Sequence, residues 1–333
     1  MITLYATEAG RLVRLDEQPP PPWDNGVVWV DLLAPDAVER AHVSAATGLD
    51  LPTLDEAQEI EESSQLYEEG GALFMTARVV WGGATRDARA TPVTFVLSQH
   101  RLVTLRWLDP QPFRTFAQRC VSRREALMAP DLVLVGLLET IVDRAADTLE
   151  LVAKDLDDLS RAVFVKRTGR RQQSRGSPPP AAPLDLNDAV KRIGERQGQV
   201  SLLRESLVSL TRLIAYVQTG PIRGIADESR KRLKILDRDV RALSEHDAFI
   251  SAKINFLLDA VLGLVTIEQN AIIKIFSVMA VIFMPPTMIA SIYGMNFKYM
   301  PELEWLYGYP MAIVLMVLAG LLPWLYFRWR RWL

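Results

Sequence analysis

The sequence predicts an α+β domain, then one long helix, and then two membrane helices at the C-terminal end. Three observations lead to this prediction. Strand-like and helical segments are mixed over the first 110 or so residues. Helical periodicity continues from residue 227 with no proline before Pro285, and two runs without a charge, 275–293 and 305–327, follow near the C-terminus.

The two uncharged runs have lengths that suit a lipid bilayer. They contain 19 and 23 residues, and helices of those lengths measure roughly 28 and 34 Å, close to the ~30 Å hydrocarbon core of a membrane. Only 11 residues, 294–304, separate them, so we expect a tight helical hairpin. The alternative is a buried hairpin in a soluble protein, and the basic C-terminal end argues against it.

The flanking charges predict how the hairpin is oriented. Lys274 precedes the first run, and three arginines follow the second: Arg328, Arg330 and Arg331. The loop between the runs carries Lys298 against Glu302 and Glu304. Because Lys and Arg near span ends favour the cytoplasmic side, we expect both chain termini in the cytoplasm and the loop outside.

The first run carries a stripe of residues that contact with lipid does not explain. Steps of three and four place small, polar and soft side chains on one helix face: Asn270, Ile273, Ser277, Ala280, Met284, Thr287 and Ser291. Helix packing through small residues and hydrogen bonds would account for the stripe. A pore lining would also account for it, and that interpretation requires several copies of the chain around an axis.

The N-terminal part is predicted to be mixed α/β. Strands are expected at 27–32, 72–81, 91–97 and 102–107, where β-branched and aromatic residues alternate or run together. A helix is expected over 35–47, ended by Gly48.

Three long helices are expected after the strands. The first two, 131–166 and 187–218, form an antiparallel pair. Between them, 167–183 contains several arginines and three consecutive prolines, and we expect a flexible, exposed tip. Its arginines either lie in solvent or contact anionic lipid or nucleic acid. The third helix, 227–293, would be about 100 Å long. Pro285 and Pro286 predict a kink in it, with the freed carbonyls satisfied by Thr287 or by water.

Composition excludes several classes of function. A net charge of −2 argues against a dedicated nucleic-acid binder. The single Cys120 excludes an internal disulfide or a Cys-rich zinc site, and the three histidines lack metal-ligand spacing. No phosphate-binding Gly-x-x-x-x-Gly-Lys-Ser/Thr pattern and no nucleophile–base pairing occur. We therefore expect neither an enzyme nor a prosthetic group.

The loop after the first run carries a recognisable motif. Residues 293–297 read Tyr-Gly-Met-Asn-Phe and residues 300–303 read Met-Pro-Glu-Leu. In this position the combination resembles the signature of the CorA family of magnesium and cobalt channels. Segments 253–257, 267–270, 272–278, 283–287 and 308–310 are also similar to that family, as are, less specifically, 29–33, 59–61, 67–69 and 92–95.

The resemblance implies a fold, an assembly and a set of site residues. It implies a cytoplasmic αβα sandwich with a stalk helix and a membrane hairpin, assembled as a homopentameric funnel. Gly294, Met295 and Asn296 would form the outer mouth, where a ring of Asn296 amides meets the hydrated cation. The positions that match the family's pore lining are Asn270, Ile273, Ser277, Met284 and Thr287. Since Mg²⁺ gives up water reluctantly, neutral amides suit it better than carboxylates, which would slow release.

Two groups of acidic residues have open roles. Glu302 and Glu304 either raise the cation concentration at the mouth or are solvated loop charges. The acids within 50–69 either form part of an ion-sensing surface between subunits or a solvated face. Family members close their pore when Mg²⁺ binds acidic sites between subunits, but no residue here could be matched to those sites, and the regulatory metal site stays unknown.

These inferences divide the chain into six parts. They are a cytoplasmic α/β domain with a helix pair (1–226), a stalk helix (227–274), a pore-lining membrane helix (275–293), a periplasmic loop (294–304), a second membrane helix (305–327) and a basic cytoplasmic tail (328–333).

The predicted function is uptake of Mg²⁺, and also of Co²⁺ and Ni²⁺, across the bacterial inner membrane by a homopentamer in contact with lipid and not with nucleic acid. Mg²⁺ would be both the transported and the regulatory ion. One alternative is a Zn²⁺ transporter of the same superfamily, which we would expect to depart from Gly-Met-Asn. The other is a membrane-anchored sensor or scaffold, which would need no polar stripe.

Overall fold

A computed structural model describes the chain apart from residues 9–10, 16–22, 24–25, 60, 84–86, 123–128, 169–184, 221–224, 297, 299, 302–304 and 331–333. The described residues form two compact units, Met1–Leu258 and Asp259–Leu333.

The first unit contains a seven-stranded mixed sheet. Its strands are β1 (Ile2–Glu8), β2 (Arg11–Arg14), β3 (Val27–Leu33), β4 (Leu66–Glu69), β5 (Ala72–Trp81), β6 (Arg89–Leu97) and β7 (Leu102–Arg106). They lie in the order β2-β1-β3-β7-β6-β5-β4. Among the described strands, only β3 and β7, in the middle of the sheet, pair in parallel.

Eight helices accompany the sheet in the part of the chain that the structure describes. They are α1 (Ala37–Thr47), α2 (Leu54–Gln58), α3 (Glu62–Gln65), α4 (Gln111–Ser122), α5 (Pro130–Thr168), α6 (Leu186–Thr219), α7 (Asp227–Tyr293) and α8 (Gly308–Trp329). Capping boxes start α1 and α2, because the side chains of Asp36 and Thr53 accept hydrogen bonds from backbone N–H groups three residues on. Gly48, with φ of 70°, ends α1 in the left-handed conformation that glycine adopts easily.

Helices cover both faces of the sheet. On one face, Leu4, Val30 and Val103 pack with Val43 of α1 and Leu51 after it in one buried cluster. On the other face, two phenylalanines of α4 pack against aromatic side chains of the sheet. Phe116 contacts Trp29 edge-on, with ring centroids 5.6 Å apart, and Phe113 stacks against Phe95, with ring centroids 6.3 Å apart. The predicted three-layer αβα sandwich is therefore confirmed.

A buried ion pair holds the two central strands together. Asp31 on β3 accepts hydrogen bonds from Arg106 Nε at 3.0 Å and Nη2 at 2.7 Å, and from Thr104 Oγ1 at 2.7 Å. Burial alone would lower the pKa of Arg106, but the hydrogen bonds and negative charges of Asp31 and Asp109 together outweigh burial and raise this pKa. Burial also raises the pKa of the neighbouring Tyr5 to about 12. The parallel pair thus contains a charged network that strand periodicity does not reveal.

Ion pairs also connect the three long helices of the first unit. Asp155 of α5 accepts from Arg192 at 2.5 Å and from Arg196 at 2.7 Å, both on α6. Lys253 of α7 donates to Asp157 of α5 at 2.6 Å. The antiparallel pair α5–α6 was predicted from the apolar periodicity, whereas its contact with α7 was not.

The bounds of several elements differ from the prediction. The helix predicted over 227–293 coincides with α7, whereas α8 begins at Gly308 and not at residue 305. The helix expected over 35–47 begins at Ala37, because Asp36 is its N-cap. Strands β1, β2 and β4 and helices α2, α3 and α4 were not predicted. Most of the tip expected at 167–183 lies outside the described residues.

Candidate functional site

In the second unit, α8 covers one face of the C-terminal part of α7. Val278 is 2 % exposed, and the partly buried residues of α7 after it lie on the same face: Ile282, Pro285, Pro286 and Ile289. The covered side of α8 contains small residues, including the buried Gly308 and Ala312. A Cβ added at Gly320 would lie 3.4 Å from Pro286 Cγ and 3.6 Å from the carbonyl oxygen of Ile282. Small residues on α8 therefore allow close packing of the two helices.

The stripe predicted from the sequence lies on the other side of α7. At about 100° per residue, its centre is about 160° from the centre of the covered face. All seven stripe residues are exposed in the single chain: Asn270, Ile273, Ser277, Ala280, Met284, Thr287 and Ser291. Contact with α8 does not use them, so packing within the hairpin does not explain the stripe.

Two hydroxyl groups of the stripe are oriented by the helix backbone. Thr287 Oγ1 donates to the carbonyl oxygen of Phe283 at 2.7 Å, and Ser291 Oγ donates to that of Thr287 at 2.8 Å. Each hydroxyl has thereby used its one hydrogen, and its oxygen can only accept further hydrogen bonds. A hydrated cation directs the hydrogens of its water outward, so this surface offers the partners that such an ion requires.

The two prolines do not interrupt α7, which continues through Pro285 and Pro286 to Tyr293. Each proline removes an N–H donor four residues after a carbonyl, which leaves the carbonyls of Val281 and Ile282 without their usual helical partners. The expectation that Thr287 satisfies one of them is wrong, since its hydroxyl donates to Phe283. The Ile282 carbonyl oxygen instead faces Gly320 of α8.

Gly294 and Met295 form the turn that ends α7. The N–H of Gly294 donates to the Ala290 carbonyl at 2.9 Å, and that of Met295 to the Ile292 carbonyl at 3.3 Å. A Cβ on residue 294 would approach the Ala290 oxygen to 3.1 Å, a tight contact that favours glycine here. Asn296 follows and is exposed.

Some predicted site residues lie outside the described residues, and others show no metal-binding arrangement. Glu302 and Glu304 belong to the first group. The acidic segment 50–69 forms α2, α3 and β4, and Glu56 is part of the capping box of α2, where hydrogen bonds from Thr53 lower its pKa. Among the described residues, no group of three or more His, Cys, Asp or Glu side chains could hold a metal ion.

Both helices of the second unit have the length and apolar composition of membrane spans, with a mean hydropathy of 2.0 over their most apolar windows. At the end of α8, the guanidinium of Arg328 lies 5.1 Å from the ring centroid of Trp324, and that of Arg330 lies 5.9 Å from the ring of Tyr326. Such amphipathic pairs suit the membrane interface. The small face of α8 was not predicted, although Gly308 and Ala312, four residues apart, are a detectable signal.

Comparisons with known proteins agree with the fold and the hairpin. The chain matches the family model described as "CorA-like Mg2+ transporter protein" over residues 24–331. It is 34 % identical to the magnesium transport protein CorA of Escherichia coli K12 over 334 aligned positions, and 34 % identical to that of Salmonella typhimurium over 336, with all of each chain covered.

A solved structure also matches. The complete CorA magnesium transporter of Methanocaldococcus jannaschii aligns with a TM-score of 0.74 at 17 % identity, over 98 % of this chain and 97 % of that one. At this identity the match shows the fold, whereas the family model and the end-to-end identities show the relationship. The resemblance inferred from the Gly-Met-Asn motif is thus confirmed, and the chain belongs to the CorA-like Mg²⁺ transporter family.

Proposed function

We propose that this chain, a transporter and not an enzyme, carries Mg²⁺ through a pore formed by several copies of α7. The observation that carries the proposal is the position of the stripe. The stripe combines hydrogen-bond acceptors with flexible apolar side chains, carries no charge and faces away from α8. One hairpin cannot enclose water, so the stripe requires further copies, and the family resemblance favours five.

The outer mouth of the pore would be formed by Gly294, Met295 and Asn296. In each copy the turn at Gly294 is followed by the exposed Asn296 amide. An amide oxygen accepts hydrogen bonds from the water bound to the ion, and carries no net charge that would trap a divalent cation. Asn270 and Ile273 would line the inner end of the pore, and Ser277, Met284 and Thr287 the part that crosses the membrane.

The membrane potential supplies enough free energy for uptake. With both termini in the cytoplasm and a potential near 100 mV across the inner membrane, an entering divalent ion gains about 4.6 kcal/mol, twice the ~2.3 kcal/mol per charge. Uptake therefore requires no ATP hydrolysis. Co²⁺ and Ni²⁺ carry the same charge and are further substrates of the proposed pore, and Mg²⁺ would also be the ion that regulates it.

Transport by the purified protein in liposomes tests the proposal. An entrapped Mg²⁺-sensitive dye should report uptake by the wild type and a strong loss in Asn296→Ala. Lys298→Gln, two residues away in the same loop, is the matched control and should keep most of the flux. Full activity of Asn296→Ala, or an inactive wild type, would contradict the assignment.

The same liposomes separate the alternatives. A Zn²⁺ transporter would move Zn²⁺ faster than Mg²⁺, and a membrane-anchored sensor would move neither. Cross-linking of the protein in detergent addresses the assembly. A ladder that ends at five subunits is expected, whereas a stable monomer or dimer would exclude a pore lined by α7.

A further inference from the structure

The buried face of α7 in the first unit is an apolar seam that contains a single charged residue. Buried positions recur along it at steps of three, four or seven: Leu233, Leu236, Val240, Asp247, Ile250, Ile254 and Leu257. Asp247 is only 1 % exposed. No other charged side chain of α7 is buried in the part of the helix that the structure describes.

The carboxylate of Asp247 is only half satisfied. Its Oδ2 accepts a hydrogen bond from Arg204 Nε of α6 at 2.8 Å, and Arg204 Nη2 donates to Ser251 Oγ at 2.6 Å. Its Oδ1 is buried and has no hydrogen-bond partner among the described residues. On α6, Leu203 and Leu207, which lie on either side of Arg204 in the sequence, are apolar and buried.

This arrangement lowers stability relative to an apolar side chain. A buried carboxylate with an unpaired oxygen loses its water without full replacement. Burial raises the pKa of Asp247, although Arg204 and His246, the charged and titratable groups that act on it, shift the pKa in the opposite direction. A contribution to stability therefore does not explain why a charge lies in this seam.

The seam gains a defined register from Asp247. Apolar positions spaced by seven residues are nearly equivalent, so a helix could slip by one repeat and still bury leucine and isoleucine. A slip of that kind would move Asp247 to the level of Val240 or Ile254, away from Arg204, and would leave its charge uncompensated.

We propose that Asp247 and Arg204 are a positioning pair that fixes the axial register of α7 against α6, and that neutralising Asp247 releases α7 from this register. Because α7 also carries the candidate pore stripe, the register of this helix affects the pore. That consequence for transport rests on the proposed function, whereas the register itself does not.

A cross-linking experiment on the full chain measures the register directly. Asp157 of α5 and Lys253 of α7 meet through their side chains, so cysteines at these positions, joined by a short bifunctional thiol reagent, report how α7 lies. Cys120 is buried and can remain. Asp247→Leu and Asp247→Asn are compared with Asp237→Asn, which removes a carboxylate paired with Arg241 on the same helix at 3.0 Å.

Both Asp247 variants should reduce the cross-linking rate at least about fivefold, the factor expected for the loss of roughly one interaction, while Asp237→Asn leaves it unchanged. Asp247→Leu should also unfold at the same or a higher temperature than the wild type. An unchanged rate in both variants, or a lower unfolding temperature of Asp247→Leu with an unchanged rate, would show that the pair is only structural.

Transport gives the second measurement. Mg²⁺ flux should change in both Asp247 variants and not in Asp237→Asn or His246→Gln. If the wild type transports no Mg²⁺, the proposed function fails, and the cross-linking rates still decide the register inference. Unchanged flux together with a changed cross-linking rate would overturn the connection between register and pore.

Discussion

Replacing Thr287 by valine tests whether the hydroxyl oxygen of this stripe residue contributes to Mg²⁺ transport. Valine has nearly the shape of threonine but no oxygen. The Thr287 side chain is exposed in the single chain, and the Phe283 carbonyl to which it donates keeps its backbone hydrogen bond within the helix. Folding should therefore change little, and the loss is limited to one acceptor for water per copy.

The expected size of the effect follows from the energy of one hydrogen bond. A net contribution of about 1 kcal/mol per bond corresponds to about a fivefold change in rate, and copies around one pore would multiply it. Mg²⁺ flux into liposomes should thus fall at least about fivefold in Thr287→Val. Thr287→Ser keeps the oxygen and should retain most of the flux.

The comparison of the two variants decides the outcome. If Thr287→Val transports as fast as Thr287→Ser, the hydroxyl oxygen does not contact the hydrated ion. The stripe would then contribute through its size alone, and the argument from acceptor oxygens would be refuted.

Three further predictions concern the first unit. Asp31→Asn should lower the free energy of unfolding by about 1.5–3 kcal/mol, because the buried Arg106 loses its charged hydrogen bonds to Asp31 and keeps the ion pair with the partly exposed Asp109. Asp157→Asn at an exposed pair should change the free energy of unfolding little, and denaturant titration of both variants measures this. Gly136→Ala should lower the unfolding temperature, since its Cβ would lie 2.6 Å from Phe116 Cε2 and overpacking costs about 1–3 kcal/mol. Gly194→Ala, with nothing within 4 Å of its Cβ, should raise that temperature through better helix propensity. Finally, the raised pKa of Asp247 means that the folded state binds its proton more tightly than the unfolded state, so the stability that this group contributes is present at low pH and is lost as the pH rises through the folded pKa. The free energy of unfolding of Asp247→Asn minus that of the wild type should therefore increase from acidic to neutral pH. A decrease in this difference would contradict the raised pKa.

The sequence predicted the long helices well because their signals are local. Helix α7 shows apolar periodicity over its whole length, and its last residue, Tyr293, precedes a glycine. Helix α4 was not predicted, although Phe113, Phe116 and Cys120 have helical spacing, because the prolines at positions 110 and 112 are typical of a turn. Strand β1 was not predicted, although it contains the β-branched and aromatic residues Ile2, Thr3 and Tyr5.

Other features depend on contacts between distant residues. Asp31 and Arg106 are 75 positions apart, and no local pattern connects them. The spacing of its residues was enough to recognise the stripe. Spacing could not show that the stripe faces away from α8, because this depends on which side of α7 is covered by α8. The half-satisfied Asp247 likewise becomes visible only when α6 is placed beside α7.

The coverage of α7 by α8 also limits how copies of the hairpin can meet. In the proposed pore, one face of α7 packs against the small residues of α8, including Ala312 and Gly320, and the opposite face lines the water. The two flanks of α7 would then contact the neighbouring copies. If one flank of each copy contacts the opposite flank of the next copy, the same contact is repeated from subunit to subunit. Such contacts form a closed ring when a whole number of identical rotations adds up to 360°. In such a ring α8 would lie outside α7 and make each hairpin wider on its outer side, and this difference in width would set the number of subunits.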